Sequence, residues 1–170
     1  MTAARRRIAS AFCLFLGLSV AVWLRIHFGS AGSQTAARLG EPMPSLTVDD
    51  SGAEVDLREF AAGTRSVIVF YSPTCSACRE TLPALQPFPA TLSLIMVNES
   101  RARENPEPPG IPNAAFFYDR WSVLPRSFAI ARLPTIIFVD ENGILRDGLV
   151  GVHVRELVQE KLKGFAARHP

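Results

Sequence analysis

The hydrophobic and polar positions of this chain fall into two regimes. An uncharged run rich in Leu, Val, Ala and Phe, Ile8 to Leu24, opens it directly after Arg5-Arg6-Arg7. From residue 45 on, short apolar runs alternate with turn residues and helical spacings. Leu46 to Val48, a turn at Asp49 to Gly52, and Val55 to Phe60 read as a short hairpin. Ser66 to Tyr71 (Ser-Val-Ile-Val-Phe-Tyr) has the unbroken β-branched and aromatic character of a strand buried on both faces. Ser72-Pro73-Thr74 stops it. Leu82, Leu85 and Phe88 then recur at helical spacing, predicting a helix from Ser76 to about Pro89 with a bend at Pro83.

Leu92 to Val97 predicts a second central strand, and Ala115 to Tyr118 a short one. Between them, Arg101 to Asn113 carries Pro106, Pro108, Pro109 and Pro112 and excludes a regular helix. Arg120 to Ala131 reads as helical, with Trp121, Leu124 and Phe128 on one side. Thr135 to Val139 is a strand, and Glu141-Asn142-Gly143 a turn in which Asn-Gly supplies positive φ angles. Ile144 to Val150 returns as the partner strand. His153 to Phe165 closes as an amphipathic helix with Val154, Leu157, Val158 and Leu162 inward. Alternating β and α segments ending in a hairpin predict an α/β fold with one mixed sheet.

Charge changes how the first regime is read. Of 18 Lys/Arg, four (Arg5, Arg6, Arg7, Arg25) precede residue 30, which leaves 14 against 16 Asp/Glu in the remainder. The net charge of +2 thus belongs to the N-terminus, and nothing points to a nucleic-acid partner. As a helix, Ile8 to Leu24 spans roughly 26 Å, close to the ~30 Å of a bilayer core, and Ile26 and Phe28 complete it. The arginines place its start in the cytoplasm and everything after it outside. Residues 1–29 are therefore expected to form a transmembrane anchor, or alternatively a signal peptide cleaved near Gly29-Ser30-Ala31. Arg25 and His27 interrupt the usual passage to a cleavage site. Residues 30–44 read as a linker and 45–167 as the folded domain, on the periplasmic or outer face of the membrane. Phe12 before Cys13 excludes a lipoprotein cleavage, so Cys13 reads as an apolar, membrane-buried residue.

Candidate chemistry sits at Cys75 and Cys78. A Cys-x-x-Cys pair after a buried strand and at a helix start places its first sulfur beside unpaired backbone N–H groups, which favour thiolate over thiol. The second, one turn on, can attack a mixed disulfide. Cys75 is thus the candidate nucleophile and Cys78 the resolving partner, with Arg79 adding positive charge nearby. A permanent disulfide would close too small a loop to constrain the unfolded chain. Zinc would need two more ligands, and the exported histidines, His153 and His169, belong to or follow the last helix, so no metal is expected. Pro134, heading a β-branched run, is either a cis proline or a strand-initiating one.

Together, Val67-Ile68-Val69-Phe70-Tyr71, Ser72-Pro73-Thr74-Cys75-Ser76-Ala77-Cys78, Leu133-Pro134-Thr135 and the hairpin around Asn142-Gly143 resemble the thioredoxin superfamily, in its membrane-tethered, redoxin-type branch. The likeness covers about Leu46 to Phe165. Ser-Pro-Thr-Cys and Gly148-Leu149-Val150-Gly151 are also similar to accessory thioredoxins of methylamine dehydrogenase maturation. The resemblance implies a thioredoxin-like α/β fold and a thiol–disulfide oxidoreductase with no cofactor beyond a redox-active Cys75–Cys78 disulfide. It also implies a cis bond at Pro134 and a substrate groove around Pro73, Thr74, Leu133, Pro134 and Thr135. Implied partners are protein disulfide or dithiol clients and a membrane-bound electron donor or acceptor.

The chain departs from the pattern at several places. Thr74 stands where tryptophan is common, Ser76-Ala77 replaces Gly-Pro, and the Arg101–Asn113 loop replaces a helix. Val69 stands where many thioredoxins bury an acid, leaving that acid's proton-transfer role without an obvious inheritor. A non-catalytic binding or chaperone module on the same fold is the alternative from another class. A peroxidase reading fails on the spacing of Thr74 and Arg79 around the cysteine pair.

Overall fold

The computed structural model describes residues 39–50, 53–100, 111–119, 127, 128 and 130–167. The expected anchor, the linker as far as residue 38, most of the proline-rich loop and most of the expected Arg120–Ala131 helix lie outside those residues. Among the described residues, no helix is long and apolar enough to cross a membrane.

Seven strands form one mixed sheet: β1 (Thr47–Asp50), β2 (Ala53–Asp56), β3 (Ser66–Tyr71), β4 (Ser93–Asn98), β5 (Ala115–Tyr118), β6 (Thr135–Val139) and β7 (Leu145–Val150). Their spatial order is β2-β1-β5-β4-β3-β6-β7. The parallel trio β3, β4 and β5 is extended by antiparallel strands on both sides. Three helices accompany the sheet among the described residues: α1 (Leu57–Ala61), α2 (Ser76–Thr81) and α3 (Arg155–Ala167).

The period-2 geometry of a strand sends successive side chains to opposite faces, and β3 does this with all six residues buried. Val67, Val69 and Tyr71 join Met96, Ile136 and Phe138 in a cluster with Cys78, Leu82, Leu85, Val158, Leu162 and Phe165. Ile68 and Phe70 face the other way, toward Met43, Leu46, Leu57, Phe117 and Phe128. The cysteine-bearing helix and the last helix therefore share one face of the sheet, while α1 and the entering chain cover the other.

Four sequence-based expectations need correcting. Val55 to Phe60 is not all strand: after Asp56 the chain turns into α1, because the Asp56 carboxylate accepts the N–H groups of Arg58 and Glu59 and caps a new helix. The helix after Cys75 does not reach Pro89. It tightens into a 3-10 turn at Leu82–Leu85, with Pro83 in its first turn, and ends before a cis Gln86–Pro87 bond. In the 140–144 turn only Gly143 has a positive φ, +75°. The turn is set instead by Asp140, whose carboxylate accepts the N–H groups of Asn142 and Ile144. Val154 also lies before α3 rather than on its inner face, and it is 66% exposed.

Candidate functional site

The site is built where β3 ends. After Tyr71 the chain makes a tight turn through Ser72, Pro73 and Thr74, closed by a 3.1 Å bond from Cys75 N–H to the Ser72 carbonyl. The hydroxyls of Ser72 and Thr74 pair across it at 3.0 Å. Cys75 is the cap residue of α2, with an extended backbone, and its sulfur accepts the N–H of Cys78 at 3.2 Å. Cys75 Sγ thus takes the place that a serine or aspartate oxygen takes at other helix starts. A backbone donor thus rests on the Cys75 sulfur, where it would favour negative charge.

Both cysteines are free thiols, and their environments differ. Cys75 is half-buried, whereas Cys78 is 1% exposed and packed among the core side chains of its face. Burial first, and the adjoining Cys75 second, push the Cys78 thiol up to about 12. At neutral pH Cys78 keeps its proton, because a low-dielectric surrounding penalises the thiolate.

The second half of the site arrives from β6. The Leu133–Pro134 bond is cis, and the Leu133 carbonyl lies 3.8 Å from Cys75 Sγ, where it accepts the thiol hydrogen weakly. The Pro134 carbonyl accepts the N–H of Gly151 at 2.8 Å, and His153 Nε2 bonds the Val150 carbonyl at 3.0 Å. The chain after β7 is thereby laid against the cis proline. Gly151 holds φ +85°, which its missing Cβ permits.

The residues singled out in the sequence fall in different places. Cys75 and Leu133 come together, although 58 residues separate them. Pro73 and Leu133 are half-buried and Thr74 is exposed. Pro134 is buried. Thr135 is 2% exposed, with its hydroxyl donating to the Arg132 carbonyl at 2.6 Å, so it offers no surface to a client. Arg79 donates its backbone N–H to the Cys75 carbonyl, and its side chain is exposed, so its charge is screened by solvent. Among the described residues, no group of three His, Cys, Asp or Glu side chains could hold a metal.

Two features escaped sequence reasoning. One is the Val150–His153 segment against Pro134, for which Gly151 directly after a strand was the available signal. The other is Glu99, the first residue after β4. Its N–H bonds the Tyr71 carbonyl at 2.8 Å, beside the turn that leads to Cys75. Burial, and next the Asp119 carboxyl, push Glu99 up to about 8. Asp119 is placed there by its own N–H bond to the Asn98 carbonyl at 3.0 Å. Val69, the position with no acid, is fully buried, and half-buried Glu99 lies just past the end of the neighbouring strand. Its signal was a charged residue abutting an apolar run.

A mixed sheet with β3 in its interior, a Cys-x-x-Cys helix after it and a cis proline heading the antiparallel neighbour is decisive for the fold. The chain has a thioredoxin-like fold. Solved structures agree. A protein from Chlorobium tepidum assigned as thiol:disulfide interchange protein DsbE superposes with TM-score 0.63 at 19% identity, covering 77% of this chain and 99% of its own. The exposed lipoprotein thioredoxin Etrx1 of Streptococcus pneumoniae gives 0.55 at 16% identity, over 71% of this chain and 99% of its own. A thiol:disulfide interchange protein from a Bacteroides species gives 0.55 at 22%, over 76% and 93%. No protein-family model matches the thioredoxin-like chain. No curated protein matches it either.

Proposed function

We propose that this protein is an extracytoplasmic thiol–disulfide oxidoreductase that reduces or isomerises disulfides of exported proteins by cycling Cys75 and Cys78. The observation that carries this is the asymmetry of the pair: a half-buried Cys75 sulfur capped by a backbone donor, and a buried Cys78 thiol held near 12. Cys75 as thiolate attacks one sulfur of a client disulfide, forming a mixed disulfide and releasing the other client sulfur as a thiolate. Cys78 then loses its proton as it attacks Cys75 Sγ. The intramolecular disulfide forms, the second client sulfur leaves, and the client has gained two electrons and two protons in all. A membrane-bound dithiol donor restores the pair. The arginine-flanked run Ile8–Leu24 supports both the anchor and the outward-facing domain.

Equilibration in glutathione buffers with thiol trapping tests this. A reductase gives a potential near the thioredoxin end, about −270 mV, and an oxidant one nearer about −120 mV. A pair that does not interconvert under native conditions favours a non-catalytic client-binding module instead.

A further inference from the structure

Three consecutive carbonyls form the loop that meets Cys75, and each is engaged differently. Arg132 accepts the Thr135 hydroxyl at 2.6 Å, and Pro134 accepts Gly151 N–H at 2.8 Å. Between them, the Leu133 carbonyl lies 3.8 Å from Cys75 Sγ. Thr135 is rigidly placed to do this. It begins β6, where it is paired with Phe70 of β3 on one side and Val150 of β7 on the other, and it is buried. The loop's near flank is thus tied by one side-chain hydroxyl to a strand paired on both sides, and its far flank to the segment after β7 by one backbone bond.

From this geometry we infer that Thr135 is a positioning residue for client exchange: its hydroxyl holds the Arg132–Pro134 loop at the distance from Cys75 that a protein disulfide requires. The inference rests on the oxidoreductase reading and deepens it. A bulky client must lie across Leu133 while its sulfur meets Cys75, so loop placement governs that reaction. A small disulfide reaches the half-buried sulfur without resting on the loop. Replacing the hydroxyl by a methyl leaves the Arg132 carbonyl without its donor and frees the near flank, while keeping the volume of the side chain.

The test compares Thr135→Val and Thr135→Ser with the parent protein in two reactions of the reduced form, reduction of insulin and reduction of hydroxyethyl disulfide. Taking the ratio of the two rates cancels any change in folded fraction. For Thr135→Val the insulin-to-small-disulfide ratio is expected to fall roughly five- to tenfold, the worth of one hydrogen bond. Thr135→Ser, which keeps the hydroxyl, restores it. An unchanged ratio in Thr135→Val, or no recovery in Thr135→Ser, overturns the role of Thr135 and leaves the oxidoreductase reading intact. A parent protein that reduces neither disulfide overturns both.

Discussion

At the scale of single residues the difference between the two sulfurs follows from where each lies relative to solvent. Cys75 caps a helix at the surface and Cys78 sits in the core, where burial keeps its proton on up to about 12. Brief treatment of the reduced protein with iodoacetamide near neutral pH is therefore expected to label Cys75 and spare Cys78, read by mass spectrometry of the peptides; equal labelling of Cys78 would contradict its burial. In Cys78→Ser the mixed disulfide has no internal resolving thiol, so a Cys75-linked client should accumulate on a non-reducing gel. Glu99 offers a second residue-level test. Its carboxyl is raised from 4.5 to about 8, so the folded state binds this proton more tightly than the unfolded state. The resulting stability is complete below about 4.5 and is lost as pH rises through about 8. Glu99→Gln should flatten that decline, compared by urea unfolding at about pH 5 and about pH 8. Parallel declines in the two proteins would refute the assignment.

At the scale of elements, several ends are held by one side chain reaching from elsewhere in the chain. Arg65, just before β3, donates to the Phe165 and Ala166 carbonyls at the end of α3 and lies 4.5 Å over the Phe165 ring. The end of a helix presents unpaired carbonyls and partial negative charge, so a guanidinium suits it. Arg65→Ala should lower stability by about 2 kcal/mol in urea unfolding, and Arg65→Lys should recover only part, since an ammonium lacks the fork. The start of α3 performs the converse service for the cysteine-bearing segment. Arg155 donates to the Gln86 carbonyl at 2.8 Å, and Gln159 to those of Ala84 and Pro87. These bonds satisfy the carbonyls left open where the 3-10 turn stops. The 140–144 turn is organised similarly. Burial alone would raise the Asp140 carboxyl, but the Ile144 N–H and Arg146 together hold it below its usual value.

At the scale of the molecule, the sheet is the shared wall of two apolar clusters, and neither can dissolve without exposing the other. Leu162 on one face and Leu57 on the other are both fully buried. Each change to Ala is expected to cost about 2–5 kcal/mol. Unfolding should remain one transition, with alkylation of Cys78 tracking loss of the circular dichroism signal. Two separate transitions would show that the clusters are independent.

Much of this was legible in the chain because it is local. Ser66–Tyr71, Ala115–Tyr118 and Thr135–Val139 announce themselves by composition, and their bounds coincide with β3, β5 and β6. Cys75 and Cys78 are marked by their spacing and by the strand before them. The α1 helix was hidden because a five-residue helix leaves little periodicity, and its cause is one capping carboxylate. What only the tertiary structure decided are the relations across distance. The Leu133 carbonyl meets Cys75 because β6 pairs antiparallel with β3, and Glu99 lies beside the Cys75 turn because β4 pairs parallel with β3. Thr135 reads in the sequence as part of a groove, yet the pairing of β6 between two strands buries it and turns its hydroxyl back on the loop. A sequence specifies which residues prefer to be strand, helix or turn, since that is written in neighbours. Which carbonyl faces which sulfur depends on strand order and register, and those emerge only when the whole sheet has chosen how to bury its two faces.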